Sequence, residues 1–173
     1  MAGSLIKIDE EIVSSAVASV TLTGIDSTYD VYMVAFNNAG VETDIKQIKI
    51  RFTVGGTADS TANYDYAHKN MRVENTFQNV SATNQNQFGN YVGLGTGTSE
   101  TEQGIIYIYN ANNASEYTFA TYELVSTDFQ PWTAGNMGGV VNTVAQAVDG
   151  IEFSAETGNL SDGSQFILYG LKK

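Results

Sequence analysis

The chain contains no cysteine, which excludes disulfides, thiolate metal sites and thiol nucleophiles while leaving the redox compartment undetermined. Pro131 is the single proline in 173 residues. No Pro-rich linker exists, and turns must be made by Gly, Asn, Asp and Ser. His68 is the single histidine, so no His pair can hold zinc and a Ser-His-Asp triad could be built only around that residue. Cations are scarce: 8 Lys and Arg stand against 19 Asp and Glu, a net charge of -11. Such a surface opposes binding to nucleic acid phosphates. No apolar run has the length of a membrane span, and Met1-Ala-Gly-Ser-Leu-Ile-Lys lacks the apolar core and cleavage pattern of a secretory signal. The expectation is a chain made in a cytoplasm, bound to neither nucleic acid nor membrane.

What is abundant points to strands. There are 17 glycines, 10 tyrosines and 8 phenylalanines, and aromatic residues favour pleated surfaces. Lys46 to Val54 alternates strictly, with Ile48, Ile50, Phe52 and Val54 on one face and Gln47, Lys49, Arg51 and Thr53 on the other, before Gly55-Gly56 closes it. This pattern predicts a half-buried strand, as does Ala18 to Thr23 ending at Gly24. Tyr29 to Phe36 and Gly104 to Asn110 are apolar on both faces, as central strands covered on both sides would be. Further strands are expected at Tyr64 to Val73, Tyr117 to Val125, Met137 to Val144, Ala147 to Phe153 and Gln165 to Leu171. No window sustains a helical period, and the best, Glu10 to Val20, is rich in Ser and Val. Asn75 to Thr101 reads as long irregular loops.

These segments predict an all-β fold: one antiparallel two-sheet β-sandwich of eight or nine strands, with at most one short helix. Residues 1–15 form an N-terminal arm or first strand, and 16–173 form the single domain. Folding a chain of this mass can bury about 70% of its surface, so a core is possible without disulfides. Ile50, Phe52, Val34, Ile108 and Leu168 are expected in it.

The candidate chemistry is thin. His68 lies in Tyr64-Asp-Tyr-Ala-His-Lys without a G-x-S-x-G elbow nearby, and a strand or loop histidine bonded to a neighbour is the favoured reading over catalysis. Gly93-Leu-Gly-Thr-Gly-Thr lacks the lysine and the strand-turn-helix context of a phosphate cradle, so it reads as a loop. Carboxylates such as Asp26 and Asp30, or Glu100 and Glu102, flank turns, where Asx bonding and solubility explain them. Asp26, Asp30, Asp59, Asp65 and Asp162 supply oxygen ligands suited to calcium, but the EF-hand spacing is missing. Neither a catalytic residue, a metal ligand nor a cofactor site is expected. Trp132, after Phe129-Gln-Pro, could stack on a sugar, as could exposed tyrosines of the Tyr107/Tyr109 or Tyr117/Tyr122 faces, against the commoner fate of core or interface filling.

Val20-Thr-Leu-Thr-Gly-Ile-Asp-Ser-Thr-Tyr-Asp-Val-Tyr, Ala62-Asn-Tyr-Asp-Tyr-Ala and Leu160-Ser-Asp-Gly-Ser-Gln-Phe-Ile-Leu-Tyr-Gly-Leu-Lys-Lys resemble segments of small structural proteins of tailed bacteriophages, marine ones in particular. The resemblance spans the chain from about Ala18 onward. It implies a jelly-roll-like sandwich in a virion, as a homotrimer assembled in the host bacterial cytoplasm. The implied role is non-enzymatic: a capsid decoration (cement) protein, a head fibre or a tail appendage, whose partners are copies of itself and the major capsid protein or another virion protein. Apolar Leu5, Ile6, Ile8 and Ile12 near the start of the chain, with Tyr107 and Tyr109, are the candidate interface residues, because such groups want a partner at an end that otherwise frays. The alternative is a receptor- or carbohydrate-binding module of a tail fibre, taking a cell-surface glycan at Trp132.

Overall fold

A computed structural model describes residues 4–74 and 77–172. Met1 to Gly3 of the expected arm, Asn75 and Thr76 of the expected loop, and Lys173 lie outside the described residues. Among the described residues there is no helix, and Glu10 to Val20 forms none. Thirteen strands run as β1 (Ser4–Ile12), β2 (Ser19–Thr23), β3 (Val31–Ala39), β4 (Ile48–Val54), β5 (Thr57–Ala58), β6 (Tyr64–Arg72), β7 (Gln78–Gln85), β8 (Phe88–Gly89), β9 (Glu102–Tyr109), β10 (Thr118–Thr127), β11 (Thr133–Asn142), β12 (Gly150–Ala155) and β13 (Gln165–Lys172). All nine expected strands are present. The four additions are β1, in the segment expected as an arm or first strand, the two-residue β5, and β7 and the two-residue β8, which both fall inside the stretch expected to be loop.

The strands form two antiparallel sheets, one of eight strands in the order β1-β13-β3-β9-β10-β11-β6-β7 and one of five that runs β2-β12-β4-β5 with β8 also paired to β4. The expected antiparallel two-sheet sandwich is what the chain adopts. Alternation produces it: along β10 every second residue, from Thr118 through Ala120, Tyr122 and Leu124 to Ser126, is buried, so one face of each sheet is apolar and the two faces pack together. Ile50, Phe52, Val34, Ile108 and Leu168 are all in that core. At its centre Phe153 of the small sheet meets Phe166 and Phe36 of the large one, with ring centroids 4.6 Å and 5.4 Å away.

The buried Tyr64 ring packs against Phe52, and its hydroxyl is fully used: it accepts the Phe52 N–H at 3.0 Å and donates to the Asp59 carbonyl at 3.1 Å. A phenol in an apolar layer is tolerated only when its oxygen is satisfied in this way. The same holds for Tyr32, which donates to the Asp26 carbonyl at 2.6 Å. Gly170, in the C-terminal Leu-Tyr-Gly-Leu, has a local reason as well, since a Cβ there would lie 2.3 Å from the Tyr29 ring.

β1 is the first strand rather than a free arm. It lies along β13 of the same chain, from Ser4 opposite Lys172 to Ile12 opposite Gln165. Its pairing partner is therefore internal, and only its other edge is open to a neighbour. β3 and β9 do occupy the middle of the large sheet, and β3 is covered on both faces as expected, with no exposed residue from Val31 to Phe36, but β9 is not. The small sheet covers one face, and on the other Ile105 and Tyr107 are exposed.

Candidate functional site

Two features stand out from an otherwise ordinary sandwich. The first is internal, a row of polar side chains on the inward face of the large sheet where the small sheet does not reach. Glu102 begins β9 opposite Ser126, the penultimate residue of β10, and Asn136 of β11 stands opposite Asn70 of β6. All four are buried. Asn90, in the segment after β8, joins them: Asn70 Nδ2 donates to Asn136 Oδ1 at 3.1 Å, Asn136 Nδ2 donates to Asn90 Oδ1, and Asn90 Nδ2 donates to Glu102 Oε2. Asn90 Oδ1 also accepts the Val92 N–H at 2.9 Å. The row thus fastens the segment after β8 to the large sheet, helped by Leu94, which is buried and bridges to Lys46. Gly93 to Thr98 is a loop, as expected, and Leu94 anchors it.

Glu102 departs from the reading of a solvated turn acid. It is 0% exposed, Oε1 has no partner, and burial pushes its carboxyl up to about 8 against the effect of the Asn90 hydrogen bond. The group is therefore a neutral acid at neutral pH. Glu100 does behave as a turn acid, accepting the Gly97 N–H at 2.8 Å. So does Asp26, which accepts the Thr28 N–H at 2.7 Å, and that backbone hydrogen bond lowers its pKa.

His68 sits beside this row on β6. It is buried, its Nδ1 lies 2.9 Å from the Tyr122 hydroxyl, and burial lowers its pKa, so the imidazole is held neutral. This is the placement expected of a strand histidine bonded to a neighbour. A cleft of about 80 Å³ beside it is lined by Lys49, Tyr66, Gln85, Gln87 and Tyr91 among others. Removing the phenol oxygen with Tyr122→Phe is expected to cost about 1 to 2 kcal/mol, because it strands the imidazole nitrogen in a dry site. Urea melts of the two proteins measure it, and equal midpoints would mean that the bond contributes nothing.

The second feature is external. The outward face of the large sheet carries Ile105 and Tyr107 on β9, Phe119 and Val125 on β10 and Met137 on β11, each between 38% and 51% exposed. In the register they alternate with polar neighbours: Thr121 faces Tyr107, and Glu123 lies between Ile105 and Met137. Gly135, opposite Val125, has no side chain, so the face is hollowed there. Two adjoining hollows of about 520 Å³ each share Met71 and Val125. Large exposed apolar residues occur singly on any protein, and five of them on three adjoining central strands is a denser group than that.

The structure separates the candidate interface residues. Tyr107 lies in this group, while Tyr109, two residues on, is half-buried. Leu5, Ile6 and Ile12 are exposed on β1, with β13 and β3 between them and β9, and Ile8 packs against the core. Trp132 is half-buried in the turn between β10 and β11. That turn is organised by the fully buried carboxylate of Asp128, which accepts the N–H groups of Gln130 at 2.9 Å and Trp132 at 3.0 Å and pairs with Arg72.

Among the described residues no three His, Asp or Glu side chains converge as a metal site would require. Nor is any helix long and apolar enough to cross a membrane. Sequence reasoning missed Glu102 and Phe119, and for Phe119 the signal was present: in Tyr117 to Val125 the residues alternating with Ala120, Tyr122 and Leu124 include Phe119 and Val125, apolar where an outward face is ordinarily polar. No protein-family model, curated protein or solved structure matches the chain.

Proposed function

We propose that the chain is a non-enzymatic structural protein that works by assembly, docking the outward face of its large sheet against copies of itself around a three-fold axis. A capsid decoration (cement) or head-fibre protein of a tailed phage is the role that the bacteriophage likeness implies, and such a protein must present a contact surface without needing a catalytic one. The observation that supports the reading is the apolar patch of Ile105, Tyr107, Phe119, Val125 and Met137. Leaving it in water is unfavourable, at about 25 cal/mol for each Å² that a partner could cover, and a three-fold axis lets one patch meet a different patch on the next copy. The rival reading, a glycan-binding module of a tail fibre built on Trp132, has less to stand on, because that residue is half-buried in the Asp128 turn.

Solution mass tests the reading. The full chain is expected to sediment as three copies of 18.6 kDa or a multiple of three. The double variant Ile105→Lys, Val125→Lys is expected to lose the three-fold mass while still unfolding in one cooperative transition, since both side chains are exposed and only the stability that association lends is lost. A wild-type mass that is not a multiple of three, or one that the double variant leaves as it was, refutes the proposal.

A further inference from the structure

The large sheet has two edges, and they differ in kind. β1 carries Lys7, Asp9, Glu10 and Glu11 along nine residues. Its register shifts between Lys7 and Asp9, and Asp9 reaches across to accept the Thr23 N–H at 2.7 Å. Charge and a bulge are the devices by which natural sheets stop an edge from recruiting another strand. β7, at the opposite edge, has neither along its first five residues. Its sequence Gln-Asn-Val-Ser-Ala-Thr-Asn-Gln contains no charge and no proline, and it pairs with β6 in regular register from Gln78 opposite Asn70 to Ala82 opposite Tyr66. The irregularity comes only beyond Ala82. Among the described residues no backbone hydrogen bond from outside the β6 ladder reaches this strand.

The other sheet offers no equivalent. Its edge strands are the five-residue β2 and the two-residue β5, too short to serve as a template. β7 also lies in a wider neutral zone: no Lys, Arg, Asp or Glu occurs between Glu74 and Glu100. In a chain of net charge -11, two copies approaching each other are repelled over most of their surface. The neutral edge is where that repulsion is least.

We propose that β7 is a self-pairing edge: two copies join through Gln78 to Ala82 in antiparallel register about a two-fold axis at Val80, making one continuous sheet across both. The register follows from side-chain chemistry. Centred on Val80, it sets Val80 against its symmetry mate, Gln78 against Ala82, and Asn79 against Ser81. Each cross-strand pair is then neutral, and on the outward face an amide meets a hydroxyl. Main-chain hydrogen bonds supply the affinity, as in other strand additions. An isologous contact of this sort closes after two copies. It uses the sheet's edge rather than its outward face, so it stands or falls separately from the three-fold contact.

The test is done in the full chain carrying Ile105→Lys and Val125→Lys, so that face-to-face association is removed and only the edge is read. Sedimentation equilibrium is expected to show a reversible dimer, and hydrogen exchange in 78–85 is expected to slow as concentration rises. Adding Asn79→Lys with Ser81→Lys, or Asn79→Glu with Ser81→Glu, is expected to give monomers, because positions 79 and 81 then place like charges opposite each other. Both positions are exposed, so the variants should still unfold cooperatively, with a melting temperature lower only by what dimer formation lends. Mixing the Lys pair with the Glu pair is expected to restore a dimer containing one of each. The proposal is overturned by a monomer before the charges are introduced, by dimers that persist with like charges, or by a mixture that stays monomeric.

Discussion

Truncating Phe52 to alanine is expected to cost about 3 to 5 kcal/mol, the range for a fully buried phenylalanine whose space the surroundings cannot refill. The ring is 0% exposed and lies 5.3 Å from Phe88 and 5.9 Å from Tyr64, centroid to centroid. All three belong to the layer between the sheets, and Phe88 comes from the short β8, which is fixed by its two pairs on β4, by Arg51 donating to the Asn86 carbonyl and the Gln87 side-chain oxygen just before it, and by the Asn90 row just after it. Collapse into the hole is therefore limited on both the β4 and the β8 sides. The alanine variant keeps its N–H, so the hydrogen bond to the Tyr64 hydroxyl remains and the loss reads packing alone. Against a typical total stability of about 5 to 15 kcal/mol, the variant should melt far earlier in urea. A loss below about 1 kcal/mol would mean that the side chain is not buried as described.

Replacing Glu102 with glutamine is expected to stabilise the protein strongly in alkaline solution and hardly at all in acid. The sign follows from proton counting. The unfolded carboxyl titrates near 4.5, and burial in the polar row raises the folded one to about 8. Between those limits the unfolded chain has released a proton that the folded chain retains, so stability falls as pH rises, by up to about 1.4 kcal/mol per pH unit. Below about pH 4.5 both states are protonated and the group has no such effect; above about pH 8 both are ionised and the full penalty is in place. Across the window this amounts to about 3 to 5 kcal/mol. Glutamine has the same shape, cannot ionise, and still offers an oxygen to the Asn90 amide. The wild-type minus variant difference in unfolding free energy, measured at several pH values, isolates this one group from every other titration. A difference that does not change with pH would show that Glu102 is ionised in the fold.

Much of this fold is legible in the chain itself because alternation is a local property. Lys46 to Val54 places Ile48, Ile50 and Phe52 on one side whatever surrounds it, and all three are buried. The absences act the same way, since no tertiary arrangement can make a disulfide without cysteine or a His pair from His68 alone. β7 escaped because an edge strand needs no apolar alternation: Gln78 to Gln85 is held by the β6 ladder and by little burial, and its composition is that of a loop.

Other outcomes rest on contacts between residues distant in sequence, and only the tertiary structure decided them. Tyr29 to Phe36 and Gly104 to Asn110 are apolar on both faces, which fits a strand covered twice or one that keeps an exposed interaction face, and the choice depends on how many sheets are stacked above it. Ser4 to Ile12 could have paired with any open edge, and the β13 edge was the one within reach. Glu102 is two residues from Glu100 and of the same type, yet one caps a turn in water and the other is sealed beneath Asn90. The periodicity of a strand states which residues share a side; whether that side meets another sheet, a loop or solvent is set by segments far along the chain, through burial and hydrogen bonding that no local pattern encodes.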